Sequence, residues 1–257
     1  MQSTVYPIFV LTLQGDELRR SKLVATLEEA GLPYELFFGV DGRKGLSPTM
    51  EGKVDRRVTI LRNWRTLSDG EYACALSHQA IYEEIVRRHL SGGIILEDDV
   101  SIGAKFVEFV RTKAYLKAEM MLMFHHKTIV RRTAAVDVLN GVYGYRIALP
   151  PYGAAGYSLS AGAARKIIDR SRPISAPADW PCNIARLHCL ALDPQIVDHP
   201  LDNRPFSHLQ DGRKNVLRLQ KAPPFSRLRR LLYLDDWHLK FGRRLGVDLN
   251  EVKRDTK

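Results

Sequence analysis

Ile94-Ile95-Leu96-Glu97-Asp98-Asp99-Val100 is the stretch on which the reading of the fold turns. A short apolar run stops in three consecutive carboxylates. Ile94 to Leu96 reads as a buried strand of a parallel sheet, because apolar side chains follow one another without alternation. Gly92-Gly93 marks a turn ahead of it. Three adjacent acids repel one another, which is costly unless a cation or water relieves the repulsion. Along an extended segment Glu97 and Asp99 fall on one side and Asp98 on the other. Two carboxylates on one side suit a divalent metal that also holds diphosphate oxygens. A solvated acidic turn is the plain alternative.

Outward from this stretch the chain alternates strand and helix. Val5 to Leu13 reads as a first buried strand. Asp16 stands where it can cap a helix over Glu17 to Ala30, which Gly31 ends. Tyr34 to Val40 is a second strand, followed by the turn signal Asp41-Gly42. Residues 43–69 are polar and poorly periodic, and read as a long surface excursion of the active-site-loop kind. Gly70 to His89 is helical, with Ala73, Leu76, Ala80, Ile81 and Ile85 on one face. A helix around Ala104 to Lys117 and a strand from Met120 to Phe124 follow. Val142 to Leu149 and Tyr157 to Ser160 read as β segments, and Ala161 to Ser171 and Asp179 to Ala191 as helices. The pattern predicts an α/β fold with an open, mostly parallel sheet wrapped by helices.

With 257 residues, 45% of them apolar, the chain can build one large domain and a short appendage. No apolar run approaches the length that spans a bilayer. The run Val5 to Leu13 lacks the basic leader and cleavage site of a signal peptide. Cys74, Cys182 and Cys189 are too few and too irregular for a disulfide framework or a zinc site, which points to a reducing cytosol.

The net charge of +10 is unevenly placed. From residue 213 onward there are 13 Lys/Arg against 5 Asp/Glu, leaving 26 against 24 before it. The division is therefore a near-neutral body, 1–212, and a basic extension, 213–257. In the extension Leu231, Leu234, Trp237, Phe241 and Leu245 recur at helical spacing among Arg227, Arg229, Arg230, Lys240, Arg243 and Arg244. Such a basic amphipathic helix either lies on an anionic membrane surface or packs its stripe on the body. Asp235-Asp236 interrupts its positive face.

Three local patterns resemble one family. Gly70-Glu71-Tyr72-Ala73-Cys74-Ala75-Leu76-Ser77-His78 resembles the G-E-x-x-C-x-x-S-H helix start of glycosyltransferase family 25, which includes the lipooligosaccharide β-galactosyltransferases. Ile95 to Val100 resembles its I-L-E-D-D-V segment. Gly153-Ala154-Ala155-Gly156-Tyr157-Ser158-Leu159-Ser160 with Ala163-Ala164 resembles its G-T-A-G-Y-x-I-S segment. Val10-Leu11-Thr12-Leu13 with Arg19-Arg20 is a looser match to V-I-N-L…R, with Thr12 in place of Asn.

The resemblance implies a GT-A-type nucleotide-sugar fold and inverting transfer of a hexose, usually galactose, from a UDP-sugar to a lipooligosaccharide or lipopolysaccharide acceptor. The enzyme would work in the cytoplasm, peripherally on the inner face of the membrane that carries its acceptor. The acid segment would serve as the family's D-x-D variant, holding Mn²⁺ or Mg²⁺ against the diphosphate so that charge on the leaving oxygen is stabilised. Asp99 is the first choice as direct ligand. Glu97 ligates, acts through water or meets the donor ribose, and His199 or His208 completes the shell. Asp98 contacts the donor or is structural. Thr12, Leu13, Arg20, Ser77 and His78 would line the donor pocket, with His78 there rather than on the metal.

An inverting displacement also needs a base for the acceptor hydroxyl. Asp179, in Ser175-Ala176-Pro177-Ala178-Asp179-Trp180, is the first candidate, with helix capping as its alternative role. Glu71 is the second, and Trp180 is placed to stack on a sugar. His125-His126 reads as structural and Cys74 as a small core residue.

Two other classes compete. A sugar-phosphate nucleotidyltransferase also needs strand-end acids, but Gln14-Gly15-Asp16 is no phosphate loop. A nucleic-acid-binding protein would use the basic extension, but no recognised motif or aromatic-basic platform supports that, so no nucleic-acid partner is expected.

Overall fold

The computed structural model describes residues 5–63, 65–199 and 246–255. Its layers are set by the first strand, β1 (Ile8–Thr12), all five residues of which are buried. Side chains along a strand point alternately to the two faces of the sheet. Ile8 and Val10 join one core with Leu23 and Leu27 of helix α1 (Glu17–Glu29), whereas Phe9 and Leu11 join a second core on the other face.

After β1 and α1 come β2 (Tyr34–Phe38), α2 (Pro48–Glu51), α3 (Arg56–Asn63), α4 (Asp69–Arg87), β3 (Gly92–Glu97), β4 (Ser101–Ile102) and α5 (Ala104–Arg111). They are followed by β5 (Met120–Leu122), β6 (Ile129–Arg131), the hairpin β7 (Val136–Leu139) and β8 (Val142–Arg146), then β9 (Gly156–Ser160) and α6 (Ala161–Ser171). The described elements end with β10 (Cys189–Asp193), β11 (Val197–Asp198), β12 (Gly246–Asp248) and α7 (Leu249–Asp255). Phe106 and Phe109 of α5 lie with α1 in the first core; Ile81 and Ile85 of α4 and Ile167 of α6 lie in the second. The sheet is thus covered on both faces, as its continuous apolar strands require.

Eight strands form the main sheet in the order β2-β1-β3-β9-β5-β10-β8-β7. β1 pairs in parallel with β2 and β3, and β5 with β10. β9 runs against β3 and β5, and β8 against β10 and β7. Six strands therefore share one direction and two oppose it, an open, mixed α/β sheet of GT-A type. Gly92 makes the β3–β9 pairing close: a Cβ there would meet the Leu159 carbonyl oxygen at 2.4 Å.

Several local expectations change. Residues 179–188, expected as the start of a helix, form bends and a short 3₁₀ turn (Ile184–Arg186), and Cys189–Asp193 is strand β10. Its sequence, Cys-Leu-Ala-Leu, is buried throughout, and a short all-apolar run has no periodicity to separate strand from helix. The Ala104–Lys117 helix breaks at Lys113, whose φ of 55° separates α5 from a 3₁₀ turn at Ala114–Lys117. The 43–69 excursion carries α2 and α3. It is held by Leu46, Met50, Val54, Leu67, Tyr72 and Ile174, and by a Val54–Ile174 bridge. The end of the basic extension joins the body, where β12 pairs antiparallel with β6 and Leu249 is buried. The stripe from Leu231 to Leu245 lies outside the described residues. Among those described, no helix is long and apolar enough to cross a membrane.

Candidate active site

The β1–β3 register builds the site. Leu11 stands opposite Glu97, so Thr12, the last residue of β1, meets Asp98, the first residue past β3. Thr12 Oγ1 donates to Asp98 Oδ2 at 2.8 Å, and Arg19 Nε donates to Asp98 Oδ1 at 2.6 Å. The other side of the Arg19 guanidinium reaches Asp99 Oδ2 at 2.8 Å. Val100 N donates to Glu97 O at 3.3 Å, closing the acids into a turn. Burial raises the Asp98 carboxyl above the usual aspartate range; Arg19 and Thr12 oppose the shift and Asp99 adds to it. Arg19 thus neutralises two of three crowded acids. The sequence assigned it no role, although its place in the Arg19-Arg20 pair near the first strand was a signal.

The second oxygen of Asp99, Oδ1, lies 3.3 Å from His199 Nε2. Ligand atoms of Glu97, Asp99 and His199 all lie within 4.8 Å of one another. The structure therefore gathers the three residues expected to bind metal, although His199 follows Asp99 by a hundred positions. Two carboxylates and an imidazole form a donor set that fits a divalent cation. His208 lies outside the described residues.

Behind Glu97 a buried polar chain runs into the core. His78 Nε2 is 3.3 Å from Glu97 Oε1, His78 Nδ1 is 2.8 Å from the Tyr157 hydroxyl, and that hydroxyl is 2.6 Å from the Tyr82 hydroxyl. Burial holds both phenols far above the ordinary tyrosine range, so they stay protonated. A carboxylate opposite Nε2 requires a proton or a cation on that nitrogen. With the ring proton on Nε2, directed at Glu97, Nδ1 accepts from the Tyr157 hydroxyl, which in turn accepts from Tyr82. Neither tyrosine was singled out from the sequence.

The remaining expected residues spread around this centre. Arg20 Nη1 is 3.5 Å from Thr12 Oγ1 and from the Leu13 carbonyl oxygen, and Arg20 Nη2 pairs with Glu17 at 2.9 Å. Ser77 Oγ donates to Ala73 O at 2.7 Å and accepts from Val40 N at 2.8 Å, which ties α4 to the segment after β2. Glu71 is buried in the capping box of α4, reciprocally bonded with Ser68, and Arg65 grips both its oxygens at 2.8 and 2.9 Å. Its carboxylate serves the helix end, as the third-position acid of a capping box does, and the ion pair with Arg65.

Asp179 Oδ1 accepts from Gly153 N at 3.1 Å, and two residues on, Ala155 O accepts from Glu97 N at 2.8 Å. One short loop thus anchors both the candidate base and the acid turn, across a span of at most about 7 Å. Gly153 is required there, with φ of +94° and a Cβ position 2.6 Å from the Phe124 ring. Asp179 caps no helix, since none follows it. Trp180 is only 5% exposed and packs edge-on against Tyr157 at 5.1 Å, so it is a core residue and not a sugar platform.

An open α/β sheet in which the interior strand β3 ends in an acid turn, backed by a histidine and a guanidinium, is consistent with a GT-A-like fold. The profile of glycosyltransferase family 25 (LPS biosynthesis protein) matches residues 5–181, and the chain belongs to that family. It is 28% identical over 179 residues to the mouse "Inactive glycosyltransferase 25 family member 3", covering 65% of this chain and 29% of that protein. With the Haemophilus influenzae "Putative glycosyltransferase" it shares 25% identity over 226 residues, 81% of this chain and 77% of that one. With the Xenopus laevis "Procollagen galactosyltransferase 1-A" it shares 25% over 172 residues, 63% of this chain and 28% of the other. The match thus spans less than a third of the animal relatives' length.

Proposed function

We propose that this chain is a metal-dependent, inverting hexosyltransferase that moves galactose from a UDP-sugar to a lipid-linked saccharide of the lipooligosaccharide or lipopolysaccharide type. The observation that carries the reading is the convergence of Glu97, Asp99 and His199 on one spot beside the β1–β3 edge. These residues would hold Mn²⁺ or Mg²⁺. Such an ion supplies Lewis-acid stabilisation of the departing diphosphate.

The chain's own groups do the rest. Arg19 and Thr12 hold Asp98 and Asp99 in place before donor arrives, so the geometry is preorganised and not created on binding. Tyr157 and His78 aim the Glu97 carboxylate. Asp179 takes the proton of the acceptor hydroxyl as that oxygen attacks the anomeric carbon, with the loop at Gly153 setting its position. The basic extension supports an anionic membrane surface on the cytoplasmic side as the place of work.

The test is a thermal-shift screen of UDP-sugars with and without Mn²⁺. A ligand at a hundred times its Kd adds about 2.7 kcal/mol to stability. UDP-galactose should raise the melting temperature only when the cation is present. A shift that is equal with chelator, or absent for every UDP-sugar, defeats the reading.

A further inference from the structure

We propose that Cys74, His78 and Glu97 form a second cation site, selective for a thiophilic divalent ion such as Zn²⁺. Ligand atoms of these three residues all lie within 4.8 Å of one another. Cys74 and His78 are four residues apart on α4, so one helix face presents both. No disulfide occupies Cys74. The site uses one thiol and draws its other ligands from α4 and β3, so the spacing of the three cysteines carries no sign of it.

The His78–Glu97 geometry supports the assignment. Their 3.3 Å separation is long for a charge-assisted hydrogen bond, typically about 2.8 Å. It equals the distance between two ligands each about 2.0 Å from a tetrahedral zinc. The imidazole is already oriented from behind, since Nδ1 meets the Tyr157 hydroxyl at 2.8 Å. A metal-bound histidine usually donates its other N–H to such a partner. On binding, the Cys74 thiol gives its proton to solvent and the thiolate ligates. The His78 proton moves to Nδ1 and is donated to Tyr157, which donates in turn to Tyr82. Cys74 and Glu97 are partly exposed, so an ion can enter from solvent and take water as its fourth ligand.

Glu97 belongs to both groups, so the two sites compete for it. A hard cation favours the carboxylate-rich side with Asp99 and His199, and a soft one the thiolate side. On the transferase reading above, on which this consequence rests, zinc inhibits by drawing Glu97 away from the donor-side ion.

Cobalt titration of the full chain tests the site without any assay of transfer. Co²⁺ should produce a near-ultraviolet thiolate charge-transfer band that saturates at one equivalent. The band should vanish in Cys74→Ser and persist in Asp99→Ala and Cys182→Ser. In the unaltered chain Zn²⁺ should slow alkylation of Cys74 and leave Cys182 unaffected, read by peptide mass, which needs no variant to fold. No band, a band indifferent to Cys74→Ser, or unprotected Cys74 would overturn the site, whatever the chain's activity proves to be. With transfer established, Cys74→Ser should raise the half-inhibitory Zn²⁺ concentration by at least about tenfold. An unchanged value would overturn the competition.

Discussion

His78 stands between Tyr157 and Glu97, 2.8 Å from the phenol through Nδ1 and 3.3 Å from the carboxylate through Nε2. The acid at the end of β3 is therefore steered from inside the core. Replacing Tyr157 by Phe removes the hydroxyl that serves both His78 and Tyr82. Each buried partner left unsatisfied costs about 1–3 kcal/mol. Tyr157→Phe should thus lose about 2–4 kcal/mol in denaturant unfolding, against about 1 kcal/mol for Tyr82→Phe, where Tyr157 keeps His78. Equal losses would show that the hydroxyls are not a chain.

Asp98 and Asp99 should separate stability from activity. Asp98→Asn breaks a buried pairing with Arg19 and Thr12, which should cost about 2–3 kcal/mol and lower the melting temperature by roughly 5–10 °C. Asp99→Ala leaves Arg19 its Asp98 partner, so it should melt nearer the native value yet abolish transfer, as should a chelator. Full transfer in chelator or in Asp99→Ala would remove the metal from the mechanism.

Asp179→Asn keeps an oxygen able to accept from Gly153 N, so the loop should survive. Loss of a general base typically lowers turnover roughly 10²- to 10⁴-fold. Steady-state kinetics should show that loss with donor affinity unchanged. Normal turnover in a destabilised variant would mark Asp179 as a loop anchor alone.

Glu119 predicts an acid-side stability limb. Its carboxylate accepts from His188 N at 3.0 Å and pairs with Lys166 at 2.5 Å, and both hold it below the ordinary glutamate value of 4.5. A folded value below the unfolded one means that ionised Glu119 adds stability above 4.5. That stability is lost as pH falls through the lower folded value. The melting-temperature gap between native chain and Glu119→Gln should be constant near neutrality and shrink below about pH 4.5. A gap unchanged down to acid unfolding would contradict this.

Membrane attachment can be tested without cutting the chain, which would remove the β12 pairing and buried Leu249. Each Lys or Arg near an anionic leaflet contributes about 1 kcal/mol. Changing Arg227, Arg229 and Arg230 together to Gln should weaken binding to phosphatidylserine vesicles roughly 100-fold. Donor binding should stay unchanged. Binding as tight as the native chain's would place the contact elsewhere.

Local patterning was enough to specify β1, α1, α4, β3 and α6, because their signals lie within a few residues: unbroken apolar runs for strands, three-and-four spacing for helices. The acid turn was legible for the same reason, whereas strand alternation does not extend to Asp98 and Asp99, which lie in a turn and share the Arg19 guanidinium. Contacts between residues distant in the chain were decided only by the tertiary structure. The reversed β9 between β3 and β5 depends on Gly92 admitting the Leu159 carbonyl, which no local pattern reports. The strand at Cys189–Asp193 owes its form to neighbours on both edges, β5 and β8, more than to its own composition. Trp180 reads as a sugar platform beside Asp179 until its burial against Tyr157 is seen. Likewise Arg19 finds Asp98, and His78 finds Tyr157, across 79 positions. Propensity and periodicity act along the chain, whereas register, burial and side-chain pairing arise only when remote segments pack.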